Sequence, residues 1–356
     1  MKNILISTGG SGGHVVPATI LHEHLKHEFN IYLTSDHRGI KYLDKNKYNI
    51  EIINVPKISN NLFLLPFKFF FLVIATLKSF FFLKKKRIDI LISTGGYMSL
   101  PLCMASKMLK IKLFLYEPNI VLGRSNKIFS NYCKKIFCYS NEIKNFPNKF
   151  KNKISLIPVL LRKNFYTTIV AENNINKKIN LLIIGGSQGA KFFDTAIRDS
   201  IIELSKKYEI KVFHQTNFNN YNNLKNFYLQ KKIENELFDF KENIINFMSK
   251  SNICITRAGA STLAELTFLN IPHLVIPLPV AKDNHQFENA NFYQELGCNW
   301  ILNQHEISNT NLTDKLVSII EDREEYENKK RNMKNFNYQN TWNNINQKII
   351  NTINEN

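Results

Sequence analysis

Acidic residues are scarce in this 356-residue chain: 29 Asp and Glu stand against 47 Lys and Arg, a formal net charge of +18. Such a balance excludes a polyanionic surface. It favours nucleic acid, an anionic membrane or a phosphorylated substrate as partner, although an AT-rich genome raises Lys, Asn and Ile without any functional cause. RNA-binding signatures and zinc-finger spacings are missing, so no nucleic-acid partner is expected. Cysteine is sparse as well. Cys103, Cys133, Cys138, Cys254 and Cys298 are odd in number and never form Cys-x-x-Cys. That excludes a disulfide frame and a zinc site, and it points to a reducing compartment. No extended apolar run or small-residue cleavage site follows Met1-Lys2-Asn3, so no signal peptide is expected and the protein is placed in the cytoplasm.

An unbroken hydrophobic span is also lacking, though one segment comes close. Leu62 to Leu83 is dense in Phe and Leu, but Pro66, Lys68 and Lys78 interrupt it, and Lys84-Lys85-Lys86-Arg87 follows. Charges near the middle of a span are costly. The segment reads as an amphipathic helix. A buried core helix would account for it, but its phenylalanines exceed one core stripe. With the adjoining cations they suit the surface of an anionic membrane, without crossing it.

What the chain does contain is enough for two domains. Its length allows two cores, and 44% hydrophobic residues exclude wholesale disorder. Each half opens with a short apolar run that ends in a glycine cluster and a helical pattern. The first is Ile4-Leu5-Ile6-Ser7-Thr8-Gly9-Gly10-Ser11-Gly12-Gly13-His14, and the second is Leu181-Leu182-Ile183-Ile184-Gly185-Gly186-Ser187-Gln188-Gly189-Ala190. Buried parallel strands read this way, and glycines at a helix start let backbone N–H groups approach an anion. Strands are expected at Asn3–Ser7, Ile31–Thr34, Ile50–Val55, Ile88–Ser93, Lys112–Tyr116 and Ile136–Cys138. In the second half they are expected at Asn180–Ile184, Ile210–His214, Leu237–Phe240, Ile253–Thr256, His273–Ile276 and Asn299–Leu302. Helical patterns such as Val16–His27, Lys191–Leu204 and Thr262–Phe268 alternate with them. The fold class is therefore α/β, with two Rossmann-like domains built on parallel sheets and facing a ligand cleft. The expected boundaries are 1–162, a polar linker at 163–178, 179–325, and a helical segment at 326–356.

Commoner nucleotide sites fit poorly. A P-loop needs a lysine that does not follow Gly13, and a dinucleotide fingerprint needs a third glycine where Val15 stands. Asp36 after the second strand keeps a weakened NAD reading open. His14 stands at the expected crevice, where a side chain can act on substrate. Glu117 and Asn119, in Leu115-Tyr116-Glu117-Pro118-Asn119, end another strand and could bind hydroxyls or simply build a turn. Ser187 and Gln188 could cap a helix or hold a diphosphate. Glu265 could be solvated or accept two ribose hydroxyls, and the amides of Asp283-Asn284-His285-Gln286 suit a sugar. His22, His24 and His27 read as a polar helix face rather than a metal site.

Taken in order, Gly9 to His14, Gly95-Gly96-Tyr97, Glu117 with Asn119, Gly185 to Ala190, Arg257 to Ala260 with Glu265, and Asp283 to Gln286 resemble the MurG family. These are the N-acetylglucosaminyltransferases that complete lipid II in peptidoglycan synthesis. The resemblance covers nearly the whole chain. It implies a GT-B fold and UDP-N-acetylglucosamine held mainly by the second domain. It also implies an undecaprenyl-diphosphate-linked muramoyl-pentapeptide acceptor at the first domain, on the cytoplasmic face of the inner membrane. A final helix that crosses back to the first domain is implied too. The residues carried over are His14 as base with Glu117 second, and Ser11, Gly12, Gly13, Tyr97, Asn119 and Arg162 as substrate contacts. On the second domain they are Ser187, Gln188, Gly189, Lys241, Gly259, Ala260, Ser261, Thr262, Leu263, Ala264, Glu265, His285 and Gln286. No cofactor and no metal are expected, because an Asp-x-Asp motif is absent and helix N-termini can stabilise a leaving diphosphate. Another lipid-acceptor transferase of this fold, or a non-catalytic nucleotide-sugar-binding subunit, are the alternatives.

Overall fold

The computed structural model describes residues 1–44, 46–55, 65–170, 175, 178–239 and 243–356. They form two units, Met1–Leu161 with Asn340–Asn356, and Arg162–Gln339.

The first unit runs β1 (Asn3–Ser7), α1 (Gly12–Leu25), β2 (Asn30–Ser35), β3 (Ile50–Ile52), α2 (Leu65–Lys85), β4 (Ile90–Ser93), α3 (Leu100–Met108), β5 (Lys112–Tyr116), α4 (Arg124–Phe129), β6 (Lys135–Cys138) and β7 (Ile154–Leu156). The second continues with β8 (Ile179–Ile184), α5 (Gly186–Ala196), α6 (Arg198–Lys207), β9 (Ile210–Gln215), α7 (Phe218–Gln230), β10 (Glu234–Phe238), α8 (Ile245–Met248), β11 (Ile253–Thr256), α9 (Ala260–Phe268), β12 (His273–Val275), α10 (His285–Glu295), β13 (Asn299–Ile301), α11 (Asn309–Glu321) and α12 (Arg323–Asn337). The chain ends in α13 (Trp342–Glu355), which belongs to the first unit.

Both sheets are parallel and share one strand order. The first is β3-β2-β1-β4-β5-β6-β7 and the second β10-β9-β8-β11-β12-β13. In register, Ile4, Leu5 and Ile6 of β1 lie between Ile31, Tyr32 and Leu33 on one side and Ile90, Leu91 and Ile92 on the other. Ile4, Leu5, Ile6 and Leu91 are fully buried, as continuous apolar strands covered on both faces should be. The second unit repeats this with Leu182 and Ile183 of β8 and Cys254 and Ile255 of β11. Strand order reverses beside β1 and beside β8. Ligands of such sheets bind at the carboxyl ends of the strands flanking that point. The glycine turns after β1 and β4, and after β8 and β11, lie there.

Of the stretch expected as a linker, Phe165 and Ile175 are buried and fall in the second unit. α12 lies in the second unit and α13 in the first. Two expectations need correction. His24 is no part of a polar face: it is buried and stacks on Trp342 of α13 at 3.6 Å between ring centroids. The expected helix at 191–204 is broken at Ile197, which separates α5 from α6.

α13 buries Ile345, Ile349 and Ile353 completely, at the i, i+4, i+8 spacing of one helix stripe. Removing a buried isoleucine side chain to Ala costs about 2–5 kcal/mol. Ile349→Ala should lower the stability of the first unit by that amount, read as an earlier urea midpoint for that unit's transition.

Candidate active site

α1 begins four residues earlier than its apolar pattern suggests, at Gly12. Ser11 is its N-cap, in extended conformation, and Gly12, Gly13 and His14 form its first turn. The His14 ring is fixed by its Nδ1, which donates to the Thr94 carbonyl at 2.8 Å. That bond assigns the proton to Nδ1 and leaves Nε2 as the ring's acceptor. The turn after β4 packs backbone against the same ring. A Cβ on Gly96 would stand 3.3 Å from His14 Nε2 and Cδ2, and one on Gly95 would stand 3.5 Å from Cε1. Gly95 at φ +87° and Gly96 at φ +78° both lie in the left-handed range. Only glycine takes this geometry without strain.

Glu117 sits at the end of β5, buried and fully engaged. Its Oε1 accepts from the Asn119 backbone N and Nδ2, both at 3.1 Å, and its Oε2 accepts from Gly123 N at 2.7 Å and Asn126 Nδ2 at 2.9 Å. Burial pushes the carboxyl up against the four donors, which pull it down. All four belong to the loop and helix start that follow Glu117. Asn126 Nδ2 also donates to the Tyr116 carbonyl at 3.0 Å, and the Asn126 amide lies 3.4 Å from the Cβ position of Gly95. Glu117 and Asn126 thus shape the wall beside His14, and Ser99 adds to it by donating to Gly96 O at 2.8 Å. Sequence reasoning missed Asn126, whose signal is its place in the first turn of α4.

Asp36 serves the turn and not a ribose. Its Oδ1 accepts from Gly10 N at 2.7 Å and Gly39 N at 2.8 Å, while Oδ2 accepts from Arg38 Nε at 2.6 Å. Burial opposes its ionisation, but the two amides and the guanidinium outweigh it and hold the carboxyl below its ordinary range. Arg38 lies over the Tyr97 ring, 4.8 Å from its centroid. The two glycine turns of this unit are therefore linked through one ion pair.

The second unit builds a parallel arrangement. The backbone of Ser187, Gln188 and Gly189 forms the first turn of α5 after Gly186, and their side chains lie outside the described residues, as does Lys241. Gly259 is the N-cap of α9, and Ala260, Ser261 and Thr262 open that helix. Leu263 and Ala264 face the core, which leaves only their backbone for a ligand. Glu265 is buried and accepts from Arg162 Nη2 at 2.8 Å. Burial raises its carboxyl and the guanidinium pulls it back. Gln286 Oε1 accepts from Leu278 N at 3.0 Å and Ala258 N at 3.3 Å, and His285 Nδ1 donates to Lys282 O at 2.8 Å. Gln286 so ties the turn after β11 to the segment after β12.

Known proteins carry the same plan. Residues 4–138 match the glycosyltransferase family 28 N-terminal domain, and residues 180–344 match the C-terminal domain of that family. A curated UDP-N-acetylglucosamine–N-acetylmuramyl-(pentapeptide) pyrophosphoryl-undecaprenol N-acetylglucosamine transferase of Pelagibacter ubique is 60% identical over 358 residues, with 100% of this chain and 99% of the relative covered. The chain belongs to the MurG family. A relative of the same description from Rickettsia canadensis is 36% identical over 325 residues, covering 90% of this chain and 91% of its own. The crystal structure of Acinetobacter baumannii MurG superposes with a TM-score of 0.77 at 22% identity over the full length of both chains. A UDP-GlcNAc 2-epimerase from Neisseria meningitidis, bound to UDP-GlcNAc, gives 0.65 at 16% identity, covering 99% of this chain and 100% of its own. At those identities the likeness is one of fold, the GT-B class of two Rossmann-like domains.

The contact of Gly96 with the imidazole yields a direct test in this family. Gly96→Ala should keep the chain folded, yet displace the His14 ring and strain a backbone at φ +78°. Strain of this kind costs about 1–3 kcal/mol. Turnover should fall at least about tenfold while UDP affinity stays near wild type, as steady-state kinetics with calorimetric UDP binding will show.

Proposed function

We propose that the chain moves N-acetylglucosamine from UDP-N-acetylglucosamine to the muramoyl 4-hydroxyl of undecaprenyl-diphosphate-linked muramoyl-pentapeptide, converting lipid I to lipid II. The observation that carries the reading is the 60% identity, over the whole chain, to a curated enzyme whose name describes that transfer.

The reaction is an inverting displacement. The acceptor hydroxyl oxygen bonds to the anomeric carbon, the bond from that carbon to the diphosphate breaks, and the electron pair leaves on UDP. The hydroxyl proton passes to His14 Nε2, the acceptor left by the Nδ1 bond to Thr94. A base so placed contributes about a hundred- to ten-thousandfold. Glu117 holds the loop and does not compete for that proton, since both its oxygens are already occupied by N–H donors. Ser11, Gly12, Gly13, Tyr97 and Asn119 contact the acceptor. In the second unit, the helix starts at Ser187–Gly189 and Gly259–Thr262 face the donor diphosphate, where N–H groups and helix dipoles offset the charge that builds on UDP. Glu265 accepts the ribose hydroxyls, Arg162 is released from it to the nucleotide sugar, and Lys241, His285 and Gln286 complete the donor site.

His14→Ala should lower turnover at least about a hundredfold and leave donor affinity nearly unchanged. The assay is transfer of labelled N-acetylglucosamine to a lipid I analogue by the purified protein. Near wild-type turnover would remove His14 from the chemistry.

The same enzyme docks on the anionic cytoplasmic face of the inner membrane through α2. That helix turns small residues inward: Ala75, Thr76 and Ser79 are buried, while Phe69 and Phe81 are each 66% exposed and Phe67, Phe70 and Leu77 are exposed beside them. Met104 and Met108 on α3 extend the apolar face. Lys84, Lys85 and Arg87 are exposed at its end. Among the described residues no helix is long and apolar enough to cross a membrane. Each cation near such a surface adds roughly 1 kcal/mol. Replacing Lys84, Lys85, Lys86 and Arg87 by Gln should therefore weaken binding to anionic liposomes, and salt should weaken the wild type. Equal flotation with neutral and anionic vesicles would refute the electrostatic part.

A further inference from the structure

One cation at the strand ends of the first unit is fixed in place while most of its donors stay open. Arg38 stands just past β2, and 40% of its side chain is exposed. Its Nε donates to Asp36 Oδ2 at 2.6 Å, its Nη2 donates to Met98 Sδ at 2.8 Å, and its Cζ lies 4.8 Å from the centroid of the Tyr97 ring. The turn that carries it is pressed against its neighbours. A Cβ on Gly39 would stand 2.7 Å from Gly9 Cα, and one on Gly9 would stand 3.3 Å from Met98 Cγ. The turns after β1, β2 and β4 therefore hold one guanidinium between them.

Asp36 does not saturate that guanidinium. Its Oδ1 accepts from Gly10 N and Gly39 N, and its Oδ2 meets Nε alone. A guanidinium has five N–H groups. Nε–H goes to the carboxylate, and one N–H of Nη2 goes to a thioether, a weak acceptor that an anion displaces. Among the described residues no second carboxylate acts on Arg38, and the Tyr97 phenol beside it is neutral, since burial raises its pKa.

We infer that Arg38 is a specificity-determining residue for the acceptor, its terminal guanidinium nitrogens binding the diphosphate that joins the muramoyl sugar to the lipid. The inference rests on the acceptor reading above. A sugar whose 4-hydroxyl meets His14 Nε2 carries its anomeric diphosphate at the opposite end of the ring. The His14 ring packs on the turn after β4 at Gly95 and Gly96, and Arg38 packs on the next two residues, Tyr97 and Met98. Base and cation thus stand at adjoining places on one turn. Asp36 orients the guanidinium from its Nε edge, and the diphosphate takes the forked N–H groups, a geometry that an ammonium does not match.

Steady-state kinetics of the full-length protein with two acceptors tests this. One acceptor is muramoyl-pentapeptide joined to a short isoprenoid through diphosphate, and the other has a neutral ether linker in its place. Arg38→Gln removes the charge and the fork, while Arg38→Lys keeps the charge alone. On the diphosphate acceptor KM should rise about tenfold or more in Arg38→Gln and by less in Arg38→Lys. The donor KM should not move, and kcat should stay within about threefold. On the neutral acceptor the three proteins should share one KM, which neither a merely structural role nor a role toward the peptide carboxylates would give. An unchanged KM for the diphosphate acceptor in Arg38→Gln, or an equal rise on both acceptors, overturns the inference. If Arg38→Gln does not fold, Arg38→Lys carries the same comparison, and an unchanged KM or an equal rise on both acceptors again overturns it. A wild-type chain that glycosylates neither acceptor would instead overturn the acceptor reading.

Discussion

The site in each unit depends on one contact, the hydrogen bond between a left-handed glycine amide and a side chain from the neighbouring strand. A glycine at positive φ gains conformational freedom that folding must then remove. Its N–H, half-buried at a strand exit, would also cost free energy if left without a partner. Asp36 and Gln215 meet both needs for Gly10 and Gly186. The start of α1 with His14 follows that bond in one unit, and the start of α5 follows it in the other. The acceptors sit at strand ends, and strand ends are the least mobile points from which a loop can be aimed.

A second layer of buried polar groups keeps the other turns in place, and each is satisfied in a different currency of hydrogen bonding. Glu117 gathers four N–H donors from residues 119 to 126, so that a loop without regular structure becomes as rigid as a helix end. Arg257, buried after β11, uses neutral partners. It donates from Nη1 to the carbonyls of Ile276 and Pro277 and from Nη2 to Gln304 Oε1, and it lies over the rings of Phe192 and Phe193. Burial lowers its pKa to about 10, which still leaves it charged at neutral pH. One guanidinium thereby joins the exits of β11 and β12 to α5. Arg162 with Glu265 is of a different kind. Glu265 is buried but its partner is partly exposed, so the carboxylate keeps its counter-charge while the guanidinium still reaches water.

The sequence made the architecture legible because parallel strands buried on both faces are short apolar runs, and nearly every such run here is a strand. What escaped is physically distinct. β7 at Ile154–Leu156 is an edge strand, half exposed and interrupted by Ser155, so it lacks the apolar signal. β10 starts ahead of the apolar residues at Leu237 because Glu234-Asn235-Glu236 carries the pairing with β9 at the sheet's rim. His24 looked polar by type, yet it is the stacking partner of Trp342, more than three hundred residues away. Within the site, the glycine turns and the identity of His14 could be read directly. Their partners could not. Thr94 holds His14 through a main-chain carbonyl, which has no residue signature, and Asp36 and Gln215 reach glycines 26 and 29 positions earlier in the chain. Chemistry-bearing residue types announce themselves, whereas the groups that orient them depend on strand register.

The Phe-rich helix shows the limit of periodicity in another way. Pattern reasoning assumes that large apolar residues face the core and small or polar ones face water. α2 inverts this. Thr76 and Ser79 turn their hydroxyls onto the carbonyls of Leu72 and Ala75, satisfying them inside the helix, and so present a thin inward surface. Small residues at Ala75, Thr76 and Ser79 share the buried face with Leu83, while Phe67, Phe69, Phe70, Phe71 and Phe81 are exposed. The outward phenylalanines pair mainly with each other, as Phe67 with Phe71 and Phe80 with Phe81, edge to face. Self-pairing hides only part of each ring from water. The remaining apolar area is a standing cost in solution that burial in a lipid interface would remove, at about 25 cal/mol per Å². An exposed face of this kind is stabilised wherever it meets an apolar phase.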